Sequence, residues 1–401
     1  MATILSFPPE IWATIMTLCD STIDLRNLIS ACPNASRGFF SNKRAILKSH
    51  IKVIRAKFGS IPAAALVATR LRQARQNGSL DTLDKEEAEK KLRSITIFSL
   101  TCSETDTEKF LMTRLGHLCA LATIITEAEW ITSQYAPQAW DIYQQLNRHD
   151  LPVASVDPAC QSIGMELSSK ERLKFYRAVF RFESYCQAFF RGEELWFKDD
   201  TDSRRVCFEE EAGITEDTNI VENFYSIVYY IYDQHWSLLG NVIEHLGIMA
   251  LPPPNGIEAI EMRSLEHEAY FKDRDWVLKQ VHLCRFRYRT QLETHKLVHY
   301  LLSQGLSTLF ELQRMSIEDL TSFTLATFYR ISQSQHPVIL MINGVGLHRK
   351  GIVGGDGWMP WLCNDIVPYR IDGGWKCAKS FWDKKRVDEE KKHGFMHRKY
   401  C

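Results

Sequence analysis

Apolar residues recur at intervals of three and four through 110–135, 168–191, 219–246 and 266–303 of this 401-residue chain, with polar and charged residues between them. That spacing lays one apolar stripe along a helix, and it dominates to about residue 332. The expected fold class is therefore all-α. Breaks fall at Pro33, at Asn77-Gly78, at Leu151-Pro152, across the acidic stretch 193–217, and at the Pro-Pro-Pro-Asn-Gly run within 251–256. No unit repeats at a fixed period, so a regular solenoid is not expected. From about His336 the helical pattern gives way to Gly, Trp and Pro, which reads as a loop-rich cap packed on the body by Trp358, Trp361, Trp375 and Trp382. The expected organisation is an N-terminal three-helix module over 1–57, a large irregular helical body over 58–335, and the loop-rich Gly/Trp segment over 336–401.

The first module carries the most informative pattern. Pro8 and Pro9 suit a helix start, and Glu10 favours the positive end of that helix. Ile11, Ile15, Leu18 and Cys19 share a face, with Trp12 and Met16 beside it. Ser21 or Thr22 can cap a second helix bearing Leu25, Leu28, Ile29 and Cys32. Pro33 ends that helix, and Asn34 can cap a third, basic one with Phe39, Phe40, Ile46, Leu47, Ile51 and Ile54. A unit of about 50 residues has too much surface for its volume to bury all of these side chains internally. The remainder must dock on the rest of the chain or on another protein.

The series Phe7-Pro8-Pro9-Glu10-Ile11, Ile15-Met16, Asp20-Ser21, Asp24-Leu25 and Leu28-Ile29-Ser30-Ala31 resembles an F-box, in the form common among fungal F-box-like proteins. Two further stretches are similar to segments of the same group: Phe175 through Cys186, an aromatic helix, and Phe381-Trp382-Asp383-Lys384-Lys385-Arg386-Val387 near the end. The resemblance implies a three-helix unit whose apolar face docks on the Skp-family adaptor of a cullin-based ubiquitin ligase complex, while the remaining chain selects a protein substrate. Carried onto this sequence, the adaptor-facing set is Pro8, Pro9, Ile11, Ile15, Leu25, Leu28 and Ile29. Phe7 and Cys19 stand where the family usually has Leu, and no Trp closes the box after residue 36. Trimming Leu to Cys at an apolar contact costs about 1 to 3 kcal/mol, or about tenfold to a hundredfold in affinity. The alternative is a helical structural or interaction protein whose F-box-like segment packs on its own body and binds no ligase.

Composition sharpens this picture. Lys plus Arg equals Asp plus Glu at 49 each, so no global field draws the chain to nucleic acid or an anionic membrane. Cationic residues nevertheless fill 37–75 with no Asp or Glu among them, while 193–222 is acidic. The basic stretch reads as a solvated helix face able to touch an acidic surface. Residues 1–7 carry no positive charge and no long apolar run, so no export signal is expected. The longest apolar runs, 117–125 and 225–232, fall short of the roughly 20 residues that span a bilayer. Eleven cysteines without any Cys-x-x-Cys suggest reduced thiols in cytoplasm or nucleus.

Catalytic chemistry finds little footing. Gly344-x-Gly346 follows a strand-like run but no helix follows it, so a plain turn is expected rather than a phosphate loop. His393 and His397 with Cys363, Cys377 and Cys401 lack the close cysteine spacing of structural zinc. Cys186, Cys207 and Cys284 read as core, and Glu127 and Glu129 as a solvated face. The aromatic runs 175–190 and 224–236 read as helical core. No catalytic residue, cofactor or metal is expected.

Overall fold

A computed structural model describes residues 7–58, 60–80, 82–147, 165–192, 194–197, 218–249, 291–333 and 377–388. Among them the chain is all-α apart from one two-stranded hairpin. Contacts divide it into two compact units. The first comprises Met1–Phe189, Asp202–Ile227 and Gly373–Cys401; the second comprises Phe190–Thr201 and Val228–Asp372. The N-terminal helices lie within the first unit. Trp358, Trp361, Trp375, the Gly344/Gly346 turn, His393, His397, Cys207, Cys284, Cys363 and Cys401 lie outside the described residues, as do the breaks at 151–152 and 251–256.

In the first unit, α1 (Pro9–Thr17), α2 (Thr22–Ala31) and α3 (Pro33–Phe58) are followed by α4 (Ala63–Gln76), α5 (Lys85–Thr101), α6 (Glu104–Thr113), α7 (Leu115–Asn147) and α8 (Ser169–Phe189). Pro33 does not merely end α2. It is the first residue of α3, where its missing N–H matters least and its fixed φ suits a helix start. The periodic run 110–135 is split at Arg114, whose φ of −142° and ψ of 128° separate α6 from α7. Asn77-Gly78 does break the chain, with Gly78 at a φ of 63° after the end of α4.

The hub of this unit is α4, which packs against α5, α7 and α8. Its alanines Ala64, Ala65 and Ala68 let those helices approach closely, and Leu66, Val67 and Leu71 are buried among them. From Ala64 to Arg72 all but Arg70 are buried, which places α4 in the core. Ser184 of α8 donates to the Ala64 carbonyl at 3.0 Å, tying the two helices.

Arg72 of α4 crosses the same interior, although the sequence placed it on a solvated face. It donates to both Glu127 oxygens of α7 at 3.2 and 2.8 Å, and through Nε to Glu183 Oε1 of α8 at 2.9 Å. Gln187 Nε2 also donates to Glu183, at 3.0 Å. Glu127, read as solvated, is thus a buried ion-pair partner. Burial opposes the charge on Arg72, and the two carboxylates outweigh it, holding its pKa above the ordinary value.

The segment 377–388 straps onto α7 and α8. Phe381 stacks on Phe175 with centroids 4.0 Å apart, and Trp382 meets Trp140 edge-on at 5.1 Å. Arg386 grips the buried Glu171 carboxylate through Nε and Nη2, each at 2.8 Å. Lys174 donates to the Phe381 carbonyl at 3.0 Å. The expectation that Trp382 packs on the helical body holds.

In the second unit, strands β1 (Phe190–Arg191) and β2 (Glu194–Leu195) pair antiparallel around Gly192, which has a φ of 54°. Helix α9 (Thr218–Met249) contributes its residues from Val228 onward, joined by α10 (Gln291–Ser303), α11 (Leu306–Arg314) and α12 (Ile317–Gln333). Leu239, Val242, Leu297, Leu301, Leu312 and Phe328 are among the buried residues of their shared core.

Candidate docking face on the N-terminal helices

Pro8 is extended, with φ −65° and ψ 158°, and Pro9 opens α1 with Glu10 in the first turn. Two contacts then fix which side of α1 turns inward. Gly38 of α3 lies so close that a Cβ built on it would stand 2.7 Å from Trp12 Cβ, so only glycine leaves room there. A ring nitrogen of the buried His50 lies 2.9 Å from the Met16 carbonyl, partnering a group near the end of α1. Trp12 is 3% exposed and Met16 is fully buried. Helix α1 is therefore anchored by its Trp12/Met16 face.

The adjacent face stays open. Ile11, Ile15 and Leu18 follow at spacings of four and three; Ile11 is 44% exposed, Leu18 74%, and Ile15 half-buried. Phe7, 37% exposed, extends this surface at its start, with its ring 6.2 Å from that of Trp12. Pro8 and Pro9 are exposed.

Ser21, at the start of α2, accepts from the Asp24 N–H at 3.0 Å, which confirms it as the cap. Beyond it, Leu25 is fully buried, held within the chain's own first unit and closed to a partner. Leu28 and Ile29 are half-buried, whereas Ile23, 48% exposed, faces solvent. The Cys119 thiol of α7 donates to the Thr22 carbonyl at 3.2 Å, and this contact seats α2 on the body. Of the expected set, Pro8, Pro9 and Ile11 lie open, Ile15, Leu28 and Ile29 partly so, and Leu25 does not. Phe7 and Leu18, named in the sequence pattern but not in that set, and Ile23 are exposed as well. Periodicity had already put Leu18 on the Ile11 face, and that signal would have found it.

Cys19 is half-buried, and its thiol points at the Ile15 carbonyl 3.6 Å away. Burial, then the carboxylates of Asp24 and Asp20, push its pKa up, so it stays protonated. Burial likewise raises the thiols of Cys102, Cys119 and Cys377. Among the described residues no group of three or more His, Cys, Asp or Glu side chains is placed to hold a metal ion, and no helix is long and apolar enough to cross a membrane.

No family model, curated protein or solved structure matches the chain.

Proposed function

We propose that this chain is a non-catalytic substrate-recognition adaptor, docking through α1 and α2 on the Skp-family adaptor of a cullin-based ubiquitin ligase while the helical body holds a protein substrate. The observation that carries this reading is the open Ile11/Ile15/Leu18 face beside a fully anchored Trp12/Met16 face. A helix needing only to pack on its own chain gains nothing from a second apolar stripe in water. The mechanism requires no chemistry from this chain, because tethering substrate and ligase raises their local concentration.

Magnitudes set the size of the contact. Covering Phe7, Ile11 and Leu18 from their present exposure contributes roughly 1 to 2 kcal/mol each. Association alone costs about 4 kcal/mol or more. Stable docking therefore also needs the half-buried Ile15, Leu28 and Ile29 and the exposed Ile23.

The double variant Ile11→Asp/Leu18→Asp checks the face. Both positions are exposed, so thermal stability should change little, while capture by an immobilised recombinant Skp-family adaptor should fall by about a hundredfold or more. Capture equal to that of the unmodified chain would remove α1 from the proposal.

One observation favours a second reading, a helical interaction protein that binds no ligase. Leu25 and the Thr22 carbonyl are engaged within the chain's own first unit. Absence of any adaptor complex with the unmodified chain would select it.

A further inference from the structure

The cations of α3 divide into two sets. Lys43 donates to the Thr113 carbonyl at 2.5 Å, Arg55 pairs with Glu108 at 3.0 Å, and Lys57 pairs with Glu129 at 2.6 Å. Arg37, Arg44, Lys48 and Lys52 are exposed, and among the described residues no carboxylate or carbonyl holds them. Arg44, Lys48 and Lys52 follow at four-residue spacing, and Arg37 and Phe40, three apart, lie on the other side of the kink at Asn42. Phe40 is 71% exposed, whereas its neighbour Phe39 is 4% exposed. Helix α3 contains no acidic residue.

We infer that this ridge is a docking surface for an acidic segment of another polypeptide, with Phe40 as its apolar anchor. The inference does not depend on α1 binding a ligase adaptor. Carboxylates match the planar forks of Arg37 and Arg44 in a way single point charges do not. An aromatic side chain flanked by arginines is the combination on which protein interfaces concentrate their affinity.

Other anionic partners fit less well. The chain has no net charge, and four cations fall short of the roughly six to ten phosphate contacts that support strong electrostatic binding to nucleic acid. A single aromatic offers a stacking platform for only one base. Four basic residues hold an anionic lipid surface at only about millimolar strength. The apolar side of α3, with Ile46, Leu47, Ile51 and Ile54, is already buried in the protein and cannot enter a membrane.

The test is fluorescence anisotropy with the full chain at physiological salt. The probes are a short labelled Glu/Leu peptide, its Gln/Leu counterpart and a single-stranded oligouridylate of the same length, with phosphatidylserine vesicles assayed by flotation. The Glu/Leu peptide should bind and its Gln/Leu counterpart should not. Arg44→Gln/Lys48→Gln should weaken binding about tenfold, and Phe40→Ala by a similar factor, with circular dichroism unchanged because all three side chains are exposed. Failure of the Glu/Leu peptide to bind, insensitivity to both variants, or tighter binding of the oligouridylate or vesicles would overturn the inference. Binding that appears only after Glu209, Glu210 and Glu211 are changed to Gln would assign the ridge to the chain's own acidic stretch, and would overturn it equally.

Discussion

Gly38 governs how α1 sits, because any side chain there meets the fixed Cβ of Trp12 rather than a flexible tip. Gly38→Ala should destabilise the protein by about 1 to 3 kcal/mol through overpacking. Gly240, exposed on α9, has none of the described residues within 4 Å of the place its Cβ would occupy, and Gly240→Ala should stabilise by about 0.5 to 1 kcal/mol. Urea unfolding of the two variants reads both signs, and equal effects would contradict the packing described for α1. Ile11/Ile15/Leu18 and Trp12/Met16 are neighbouring stripes on one short helix, both apolar, and their spacing does not say which turns inward. That choice is made by Gly38 and His50, distant in the chain and close in space. Leu25 was misjudged for the same reason, since its burial depends on the fold around it.

At the scale of elements, the Arg72, Glu127 and Glu183 cluster joins α4, α7 and α8. Arg72→Leu leaves two buried carboxylates without their shared guanidinium and should cost about 3 to 5 kcal/mol. Adding Glu127→Gln and Glu183→Gln should recover part of that loss, because the carboxylates that lost Arg72 are then neutral; urea midpoints measure both effects. Helix existence was legible for most of the described chain, since long apolar stripes with Ser21 and Asn77-Gly78 as boundaries carry strong local signals. The break at Arg114 was not, because neither Gly nor Pro marks it. Nor were the buried roles of Arg72 and Glu127, since a charge at helical spacing looks the same whether water or an opposite charge awaits it.

Across the whole molecule, acid sensitivity should come first from the buried His235 and the half-buried His117. His235 is fully buried, with neither ring nitrogen hydrogen-bonded among the described residues, and burial drives its pKa down to about 3 from an ordinary 6.5. His117, stacked on Phe110, is lowered to about 4 by burial and then by the charges of Arg114 and Arg70. Both are neutral in the fold and protonate readily when unfolded. Their stabilising effect is therefore complete above pH 6.5 and lost as pH falls toward 4 and 3, with His235 alone contributing a slope of about 1.4 kcal/mol per pH unit below 6.5. His235→Leu should flatten the fall measured by urea unfolding between pH 6.5 and 5; an unchanged slope would show that His235 is not buried neutral.

Docking through the open face of α1 is tested most directly by size-exclusion chromatography with light scattering. The full chain would be mixed with a recombinant Skp-family adaptor at micromolar concentration. A one-to-one complex that Ile11→Asp/Leu18→Asp abolishes is expected. Two separate peaks from the unmodified proteins would contradict it.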